Sequence, residues 1–102
     1  KPTTSVCIQI DNKTFEENAS GDGQYDAFWN ALNKVFRDQK IDLPKLIDYA
    51  VRIPPGSNSD ALCETTIIWR KDKQDFATRG LDSDQTVSAI KATEKMLNII
   101  HP

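Results

Sequence analysis

The chain has 102 residues, a length that suits one domain with a modest hydrophobic core. Its 13 Lys and Arg residues against 15 Asp and Glu residues give a formal net charge of −2. A slightly acidic chain without a basic run argues against a nucleic-acid partner. No apolar run approaches the ~20 residues of a membrane helix, and no signal peptide is visible. We therefore expect a cytoplasmic protein with neither nucleic acid nor membrane as partner. Because the sequence opens with Lys1 rather than Met, we also expect a fragment of a larger enzyme.

Two strands are predicted first. Apolar and polar residues alternate over Thr4–Ile10, which is the two-residue period of a half-buried strand. Asp11-Asn12 is a turn signal, and a second strand follows over Lys13–Ala19. The two cysteines, Cys7 and Cys63, lie far apart without metal-ligand spacing. A bridge between them stays open, but reduced, half-buried thiols are favoured for a cytosolic protein.

A helix predicted over Gln24–Gln39 carries the strongest pattern in the chain. Its apolar residues follow the helical spacing i, i+3, i+4, i+7, i+10, i+11 and form one stripe, namely Tyr25, Phe28, Trp29, Leu32, Val35 and Phe36. The helix follows Gly21-Asp22-Gly23, whose glycines permit a sharp turn. The N–H groups at a helix start attract anions, although such a turn is also ordinary capping.

The second half of the chain is predicted to hold three more strands and a helix. The strands cover Lys45–Ile53, Ala61–Lys71 and Gln74–Arg79, with a polar loop over Pro54–Asp60 and a helix from about Gln85 to Ile100. The first of these strands is expected to place Ile47, Tyr49, Val51 and Ile53 on one face and Leu46 on the other. The helix is expected to start at a capping box formed by Asp82 and Gln85, and to bury Val87, Ile90, Leu97 and Ile100.

The two halves look like copies of one unit. An alignment pairs Ala19 with Ala77, Asp26 with Asp84, Ala31 with Ala89 and Leu32 with Ile90, and a Gly/Asp turn precedes the helix in both. We therefore predict an α+β fold with a duplicated βββα unit, antiparallel sheets, two helices and pseudo-two-fold symmetry. The first strand of repeat one (about 4–39) would be missing at the N-terminus, and repeat two would span about 45–100. Together they would form a single domain over 1–102.

The search for a catalytic centre within the sequence is negative. The lone histidine, His101, is the penultimate residue, so no serine or cysteine has a histidine base and no histidine zinc site can form. The carboxylates near the two helix starts have capping as their ordinary role. Gly21-Asp22-Gly23 lacks the rest of a phosphate-binding loop. The chain alone is predicted to be non-catalytic.

A small zwitterion fits the remaining features better. A helix start can hold a carboxylate, and a nearby aspartate can hold an ammonium group. Tyr25, Tyr49 and Ile53 would supply an apolar wall, although Tyr49 alone is more typical of a strand core. The pattern predicts an amino-acid ligand.

Four motifs in order resemble the C-terminal regulatory domain of the 2-isopropylmalate synthase and citramalate synthase family. They are Gly-Asp-Gly-Gln-Tyr-Asp-Ala-Phe at 21–28, Leu-Ile-Asp-Tyr at 46–49, Asp-Ala at 60–61 and Gly-Leu-Asp-Ser-Asp-Gln-Thr-Val-Ser-Ala at 80–89. The resemblance covers about Ser5 to Asn98. Gln24 stands where the family usually has proline, and Tyr25 where valine is common.

The resemblance implies a duplicated βββα domain attached to a TIM-barrel enzyme of Claisen condensation. Two such domains would pair in a homodimer and bind leucine or isoleucine at their interface as feedback inhibitor. The barrel would hold the divalent metal and acetyl-CoA, so this domain would need no cofactor. The implied effector site comprises Gly23, Tyr25, Asp26, Leu46, Tyr49, Ile53, Cys63, Ser83 and Gln85, with no catalytic and no metal-binding residue.

Several alternatives stay open. Leucine is favoured over isoleucine only because isopropylmalate synthases are the larger group. A structural dimerisation module without effector would have the same fold. A ferredoxin-like amino-acid sensor is disfavoured by the two adjacent strands before the first helix, and a self-contained enzyme by the absence of a catalytic constellation.

Overall fold

The computed structural model describes residues 1–53 and 62–102. The predicted loop Pro54–Asp60 and the motif residue Ala61 lie outside the described residues. The chain forms two compact units, residues 1–43 and 44–102. The predicted α+β class with antiparallel sheets is confirmed, with elements β1 Thr3–Ile10, β2 Lys13–Ser20, α1 Gln24–Asp38, β3 Lys45–Arg52, β4 Cys63–Lys71, β5 Gln74–Asp82 and α2 Gln85–Ile100.

The first unit is a hairpin covered by one helix. β1 and β2 pair from Thr3↔Ser20 to Ile10↔Lys13, and α1 packs on both strands. Asp11 and Asn12 have φ of 51° and 67°, which is the pattern of a two-residue type I′ hairpin turn. The predicted α1 stripe is confirmed: its buried members are Phe28, Leu32, Val35 and Phe36, while Tyr25 and Trp29 are half-buried at its margin.

α1 ends one residue before the predicted Gln39, in a left-handed turn. The Lys40 amide donates to the Arg37 carbonyl at 3.0 Å, and the Ile41 amide donates to the Phe36 carbonyl at 2.9 Å. These two bonds make a Schellman motif, in which the residue after the cap takes a positive φ. Lys40 fills that position with φ 58°.

The second unit is a three-stranded antiparallel sheet, β3-β4-β5, with α2 packed on β4 and β5. The predicted buried face of α2 is wrong. Apart from Met96, its buried residues are small or hydroxyl-bearing, namely Ser88, Ala89, Ala92 and Thr93, whereas Val87 is exposed and Ile90, Leu97 and Ile100 are half-buried.

Gly80 explains this choice of residues on α2. A Cβ at Gly80 would collide with the Ser88 carbonyl oxygen and lie 2.7 Å from the Ala92 amide nitrogen, so the helix backbone rests directly on β5. Bulky side chains do not fit under so close an approach. The hydroxyls buried there are satisfied, since the Thr78 Oγ1 donates to the Ala92 carbonyl at 2.7 Å and accepts from the Trp69 Nε1 at 2.8 Å.

A bulge in β3 corrects the predicted face assignment. Leu46 pairs with Trp69, but Asp48 pairs with Ile68, so Ile47 is an extra residue in the ladder. Leu46 therefore shares a face with Tyr49 and is half-buried, while Ile47 is exposed. The prediction assumed strict alternation along β3 without a bulge, and it therefore assigned Leu46 and Ile47 to the wrong faces. Ile53 lies just beyond the end of the strand.

The predicted turn Gly80-Leu81-Asp82 and the predicted capping box are also wrong. Both features lie within or beside β5, which continues to Asp82 because residues 80–82 pair with β4. The N-cap of α2 is Asp84, whose carboxylate accepts from the Val87 amide at 3.0 Å. Asp82 instead accepts from the Asp84 amide at 2.9 Å.

The two units repeat each other in a register different from the predicted one. One common offset superimposes the hairpin turns, Asp11 on Asp72, and the helix starts, Gln24 on Gln85. This offset pairs Ala31 with Ala92, three positions from the predicted Ala89. It also pairs Gly23 with Asp84, the two N-cap residues, and Ala19 with Gly80.

Both cysteines are free thiols. Cys63 is half-buried, as predicted, but Cys7 is exposed because it alternates away from the buried Val6.

Candidate functional site

Two glycines with different roles, Gly21 and Gly23, precede α1. Gly21 lies in close contact with the helix backbone, whereas Gly23 has free space beside it. A Cβ at Gly21 would lie 2.5 Å from the Ala27 amide nitrogen, so only glycine allows the chain to pass under the first turn. The Gly21 amide donates to the Pro2 carbonyl at 3.1 Å. Gly23 is the N-cap, in an extended conformation with no side-chain cap. A Cβ there would meet nothing closer than the Asp26 Oδ2 at 3.7 Å, so this position has room for a side chain.

The structure brings together the three site residues predicted in the first unit. Gly23 caps α1, Asp26 is an exposed carboxylate in its first turn, and Tyr25 lies between them. The Tyr25 ring is half-buried against Phe28, with ring centroids 5.7 Å apart. The arrangement offers backbone amides, a carboxylate and an aromatic surface within one helical turn.

Four of the six site residues predicted in the second unit share one end of that unit. The Cys63 Sγ lies 4.0 Å from the Ser83 carbonyl oxygen, and Gln85 begins α2 beside them. Arg52 pairs with Glu64, so Ile53 follows at the same end of the sheet.

The other two predicted residues lie further along β3. Tyr49 pairs with Ile67 in the middle of the sheet, and Leu46 pairs with Trp69 near the opposite end. Ile53 lies seven positions after Leu46, roughly 20 Å along the strand. The second unit does not place Leu46 beside Ser83 and Gln85.

Sequence reasoning missed three exposed apolar residues near this same end, which together with Ile53 we call the α2-start cluster. Its members are Ile53, Leu62, Leu81 and Val87, exposed by 62%, 42%, 45% and 37%. Of these, only Ile53 was predicted to belong to a site. Val87 was assigned to the core because hydropathy alone does not show which helix face meets the sheet.

The α2 start is already occupied by the carboxylates of its own segment. Asp84 caps the helix, and Asp82 accepts from the Lys91 Nζ at 2.8 Å as well as from the Asp84 amide. The Lys91 hydrogen bond, followed by that amide, lowers the pKa of Asp82 below its ordinary value. The equivalent start of α1 has glycine in place of Asp84. Of the two helix starts, that of α1 is therefore the one without a side-chain cap, a feature that favours an external anion.

An open concavity of about 320 Å³ lies at the other end of α1, away from Gly23, Tyr25 and Asp26. It is lined by Asn33, Phe36, Arg37, Lys40, Ile41, Asp42 and Leu43.

Within residues 1–53 and 62–102, no three His, Cys, Asp or Glu side chains form a group able to hold a metal ion. Over the same residues, neither helix has the length and apolar character needed to cross a bilayer.

Two antiparallel sheets, each covered by one helix and related by an internal repeat, define a small α+β domain. The family model of the LeuA allosteric (dimerisation) domain matches residues 1–101, and the chain belongs to this family. The resemblance found in the sequence is thereby confirmed.

Relatives of the chain are much longer proteins. It is 30% identical over 98 residues to a 2-isopropylmalate synthase of Aquifex aeolicus, covering 95% of this chain and 18% of the relative. It is 33% identical over 82 residues to a 2-isopropylmalate synthase of Clostridium kluyveri, covering 80% and 15%. A protein of Archaeoglobus fulgidus, provisionally named (R)-citramalate synthase CimA, is 29% identical over 99 residues, covering 97% and 20%. The chain thus spans about a fifth or less of the length of these curated relatives.

Proposed function

We propose that the chain is the feedback-regulatory domain of a 2-isopropylmalate synthase and binds leucine. The open start of α1, with Gly23 as its N-cap, carries this proposal. The α1 amides receive the leucine carboxylate, Asp26 receives the ammonium group, and the Tyr25 ring contacts the side chain. Membership of the LeuA allosteric (dimerisation) family and relatives named 2-isopropylmalate synthase support the assignment.

The same proposal includes a homodimer. The α2-start cluster exposes four apolar side chains at one end of the second unit. Exposed apolar side chains that a partner can cover are typical of contact surfaces. Ile53 belongs to the cluster, and Cys63, Ser83 and Gln85 lie at the same end, so we assign these residues to the dimer-linked part of the effector site.

The regulated reaction belongs to a part of the protein outside this chain. We propose an acyltransferase barrel that uses a divalent metal and condenses acetyl-CoA with a 2-oxo acid. Leucine binding would favour one arrangement of the domain pair and so inhibit the barrel. Coupling between such sites is typically about 1–3 kcal/mol, or 5–150-fold in affinity.

The internal repeat supplies a direct test of the leucine site. Gly23→Asp copies the Asp84 cap into the first unit, at a position with room for the side chain. The new carboxylate would occupy the α1 amides and repel the ligand carboxylate. In wild type, leucine at 100 times its Kd should add about 2.7 kcal/mol to stability, measured as a rise in Tm. The variant should lose that rise and keep its unliganded Tm within a few degrees.

Asp84→Gly is the matched control. It removes the cap from α2 and should lower the unliganded Tm slightly, because aspartate exceeds glycine as an N-cap by a few tenths of a kcal/mol. The leucine-induced rise should persist in this variant. A Gly23→Asp protein that is folded by circular dichroism and still responds to leucine would refute the assignment of the carboxylate to α1.

Isoleucine is the second candidate effector, in a domain of citramalate synthase. The Archaeoglobus relative and the bulky Tyr25 ring favour it, since a narrower pocket suits the more compact side chain. Such isomers differ by only about 1–3 kcal/mol in an apolar pocket. Melting curves with leucine, isoleucine and valine decide between them. If a folded dimer responds to none of the three, the chain is a structural dimerisation module.

A further inference from the structure

Asp22 stands out among the aspartates of the chain because glycine follows it, a pairing that occurs nowhere else in the sequence. Its side chain is 91% exposed. Among the described residues its one partner is the Lys1 Nζ at 3.9 Å, on a side chain that is itself 71% exposed. An exposed ion pair of this length restrains a carboxylate little.

The Gly23 amide nitrogen is equally unrestrained. It lies in a bend before the first turn of α1, outside the helical ladder, and donates no hydrogen bond within the described part of the chain. Gly23 has no Cβ to shield this nitrogen from the preceding side chain, and its backbone is extended with φ −129°. Glycine also allows the local rotation that brings the nitrogen toward the Asp22 carboxyl carbon.

We propose that Asp22-Gly23 is a site of spontaneous aspartate isomerisation. The Gly23 nitrogen attacks the Asp22 Cγ, a C–N bond forms, and one carboxyl oxygen leaves as water together with the amide proton and a proton from solvent. The product is a five-membered succinimide. Water then adds to one of its two carbonyls, which restores aspartate or yields isoaspartate. No oxidant, reductant or cofactor takes part.

Isomerisation adds one carbon atom to the backbone directly before the α1 cap. The free carboxylate of the isoaspartate is then bonded directly to the Cα atom of residue 22. Gly23 is displaced from its position over the first turn. This consequence rests on the proposed function: the displaced amides no longer hold the effector carboxylate. Isomerised protein would therefore be resistant to leucine.

Asp82-Ser83 is an internal control in the equivalent segment of the second unit. Its carboxylate is held by the Lys91 Nζ and by the Asp84 amide, and its side chain is 25% exposed. These hydrogen bonds restrain the carboxylate, whereas among the described residues the Asp22 carboxylate has only its long contact with the Lys1 Nζ. They also lower the pKa of Asp82, and the ionised carboxylate is the poorer electrophile.

The test is incubation of the folded chain at physiological temperature and slightly acidic pH. Digestion with a protease that cleaves beside aspartate but not beside isoaspartate, followed by mass spectrometry, measures isomerisation at each site. Isoaspartate should accumulate at Asp22, preceded by a species lighter by one water, and several-fold more slowly at Asp82. Gly23→Ala, which the space at this position admits, should slow the Asp22 reaction several-fold. Equal rates at the two sites, or no isoaspartate at Asp22, would overturn the proposal.

The isomerised fraction, separated by ion exchange, is then melted with and without leucine. Loss of the leucine-induced rise in Tm supports the functional consequence, and a full rise refutes it. If unmodified chain shows no rise with any branched-chain amino acid, the proposed effector site fails while the isomerisation result stands by itself.

Discussion

Lys40 occupies a backbone position that suits glycine. Its φ of 58° is imposed by the Schellman motif that ends α1. In this conformation a residue with a Cβ atom loses about 1–2 kcal/mol of stability relative to glycine. Part of glycine's advantage is cancelled, because glycine has more conformational freedom in the unfolded chain. Lys40→Gly should therefore raise the free energy of unfolding by about 0.5–1 kcal/mol. Denaturant unfolding of the two proteins measures the difference.

Arg37→Gly is the control for this prediction. Arg37 is exposed in the last turn of α1 and has helical angles, so glycine there should destabilise by up to about 1 kcal/mol. Opposite signs at two exposed positions three residues apart would identify the left-handed angle as the cause. A decrease in stability on Lys40→Gly would show that the Lys40 side chain, not its backbone, matters.

The structural roles of the residues near the helix starts could be predicted only in part from the sequence. The positions of Gly23, Tyr25 and Asp26 at the start of α1 followed from the helical period and the glycines. The cap of α2 did not, because both Asp82 and Asp84 suit the local pattern. The Asp82 carboxylate is not the helix cap, because it accepts a hydrogen bond from the Lys91 Nζ, nine residues further on. Sequence patterns for helix caps do not extend over that distance.

At the scale of elements, the contact between α2 and β5 depends on Gly80. Gly80→Ala places a methyl group against the Ser88 carbonyl and the Ala92 amide, which belong to the helix backbone and cannot rotate away. Overpacking of this kind costs about 1–3 kcal/mol. Urea unfolding should show a loss in that range, with a native far-ultraviolet spectrum.

The first unit provides the comparison. Its equivalent residue, Ala19, is buried and already carries a methyl group. Ala19→Gly should cost about 0.5–1 kcal/mol from backbone entropy alone. A Gly80→Ala variant within about 0.5 kcal/mol of wild type would mean that α2 shifts on the sheet at little cost.

Periodicity located the elements but not all of their faces. The helix predicted from about Gln85 to Ile100 coincides with α2, and the α1 stripe was confirmed. The α2 face was wrong because burial there follows the approach of two backbones at Gly80, and hydroxyls are tolerated when a carbonyl is in reach. Thr93 illustrates this, donating to the Ala89 carbonyl at 2.9 Å within its own helix.

At the scale of the whole molecule, the sequence motifs identified the family, while composition only excluded other classes. Four short motifs in the right order span most of the chain, and the family match covers residues 1–101. Neither the motifs nor the composition indicated the α2-start cluster. Its members come from separate segments, around β3, β4, β5 and α2, and only the fold brings them to one end.

The cluster leads to a prediction on assembly. If it is the dimer contact, a charge buried within it should separate the subunits. Val87→Glu is the suitable change, because a carboxylate in the first turn of α2 favours the helix while opposing an apolar contact. Analytical ultracentrifugation should show wild type as a dimer and Val87→Glu as a monomer at micromolar concentration, with unchanged helix content.

Ile99→Glu provides the matched control, since Ile99 is an exposed apolar residue near the other end of α2, 57% exposed. This variant should remain dimeric, because it adds the same charge to the same helix outside the cluster. Leucine should stabilise wild type and Ile99→Glu, and should fail to stabilise the Val87→Glu monomer if the effector site needs the pair. A Val87→Glu protein that sediments as a dimer would exclude the α2-start cluster as the contact between subunits.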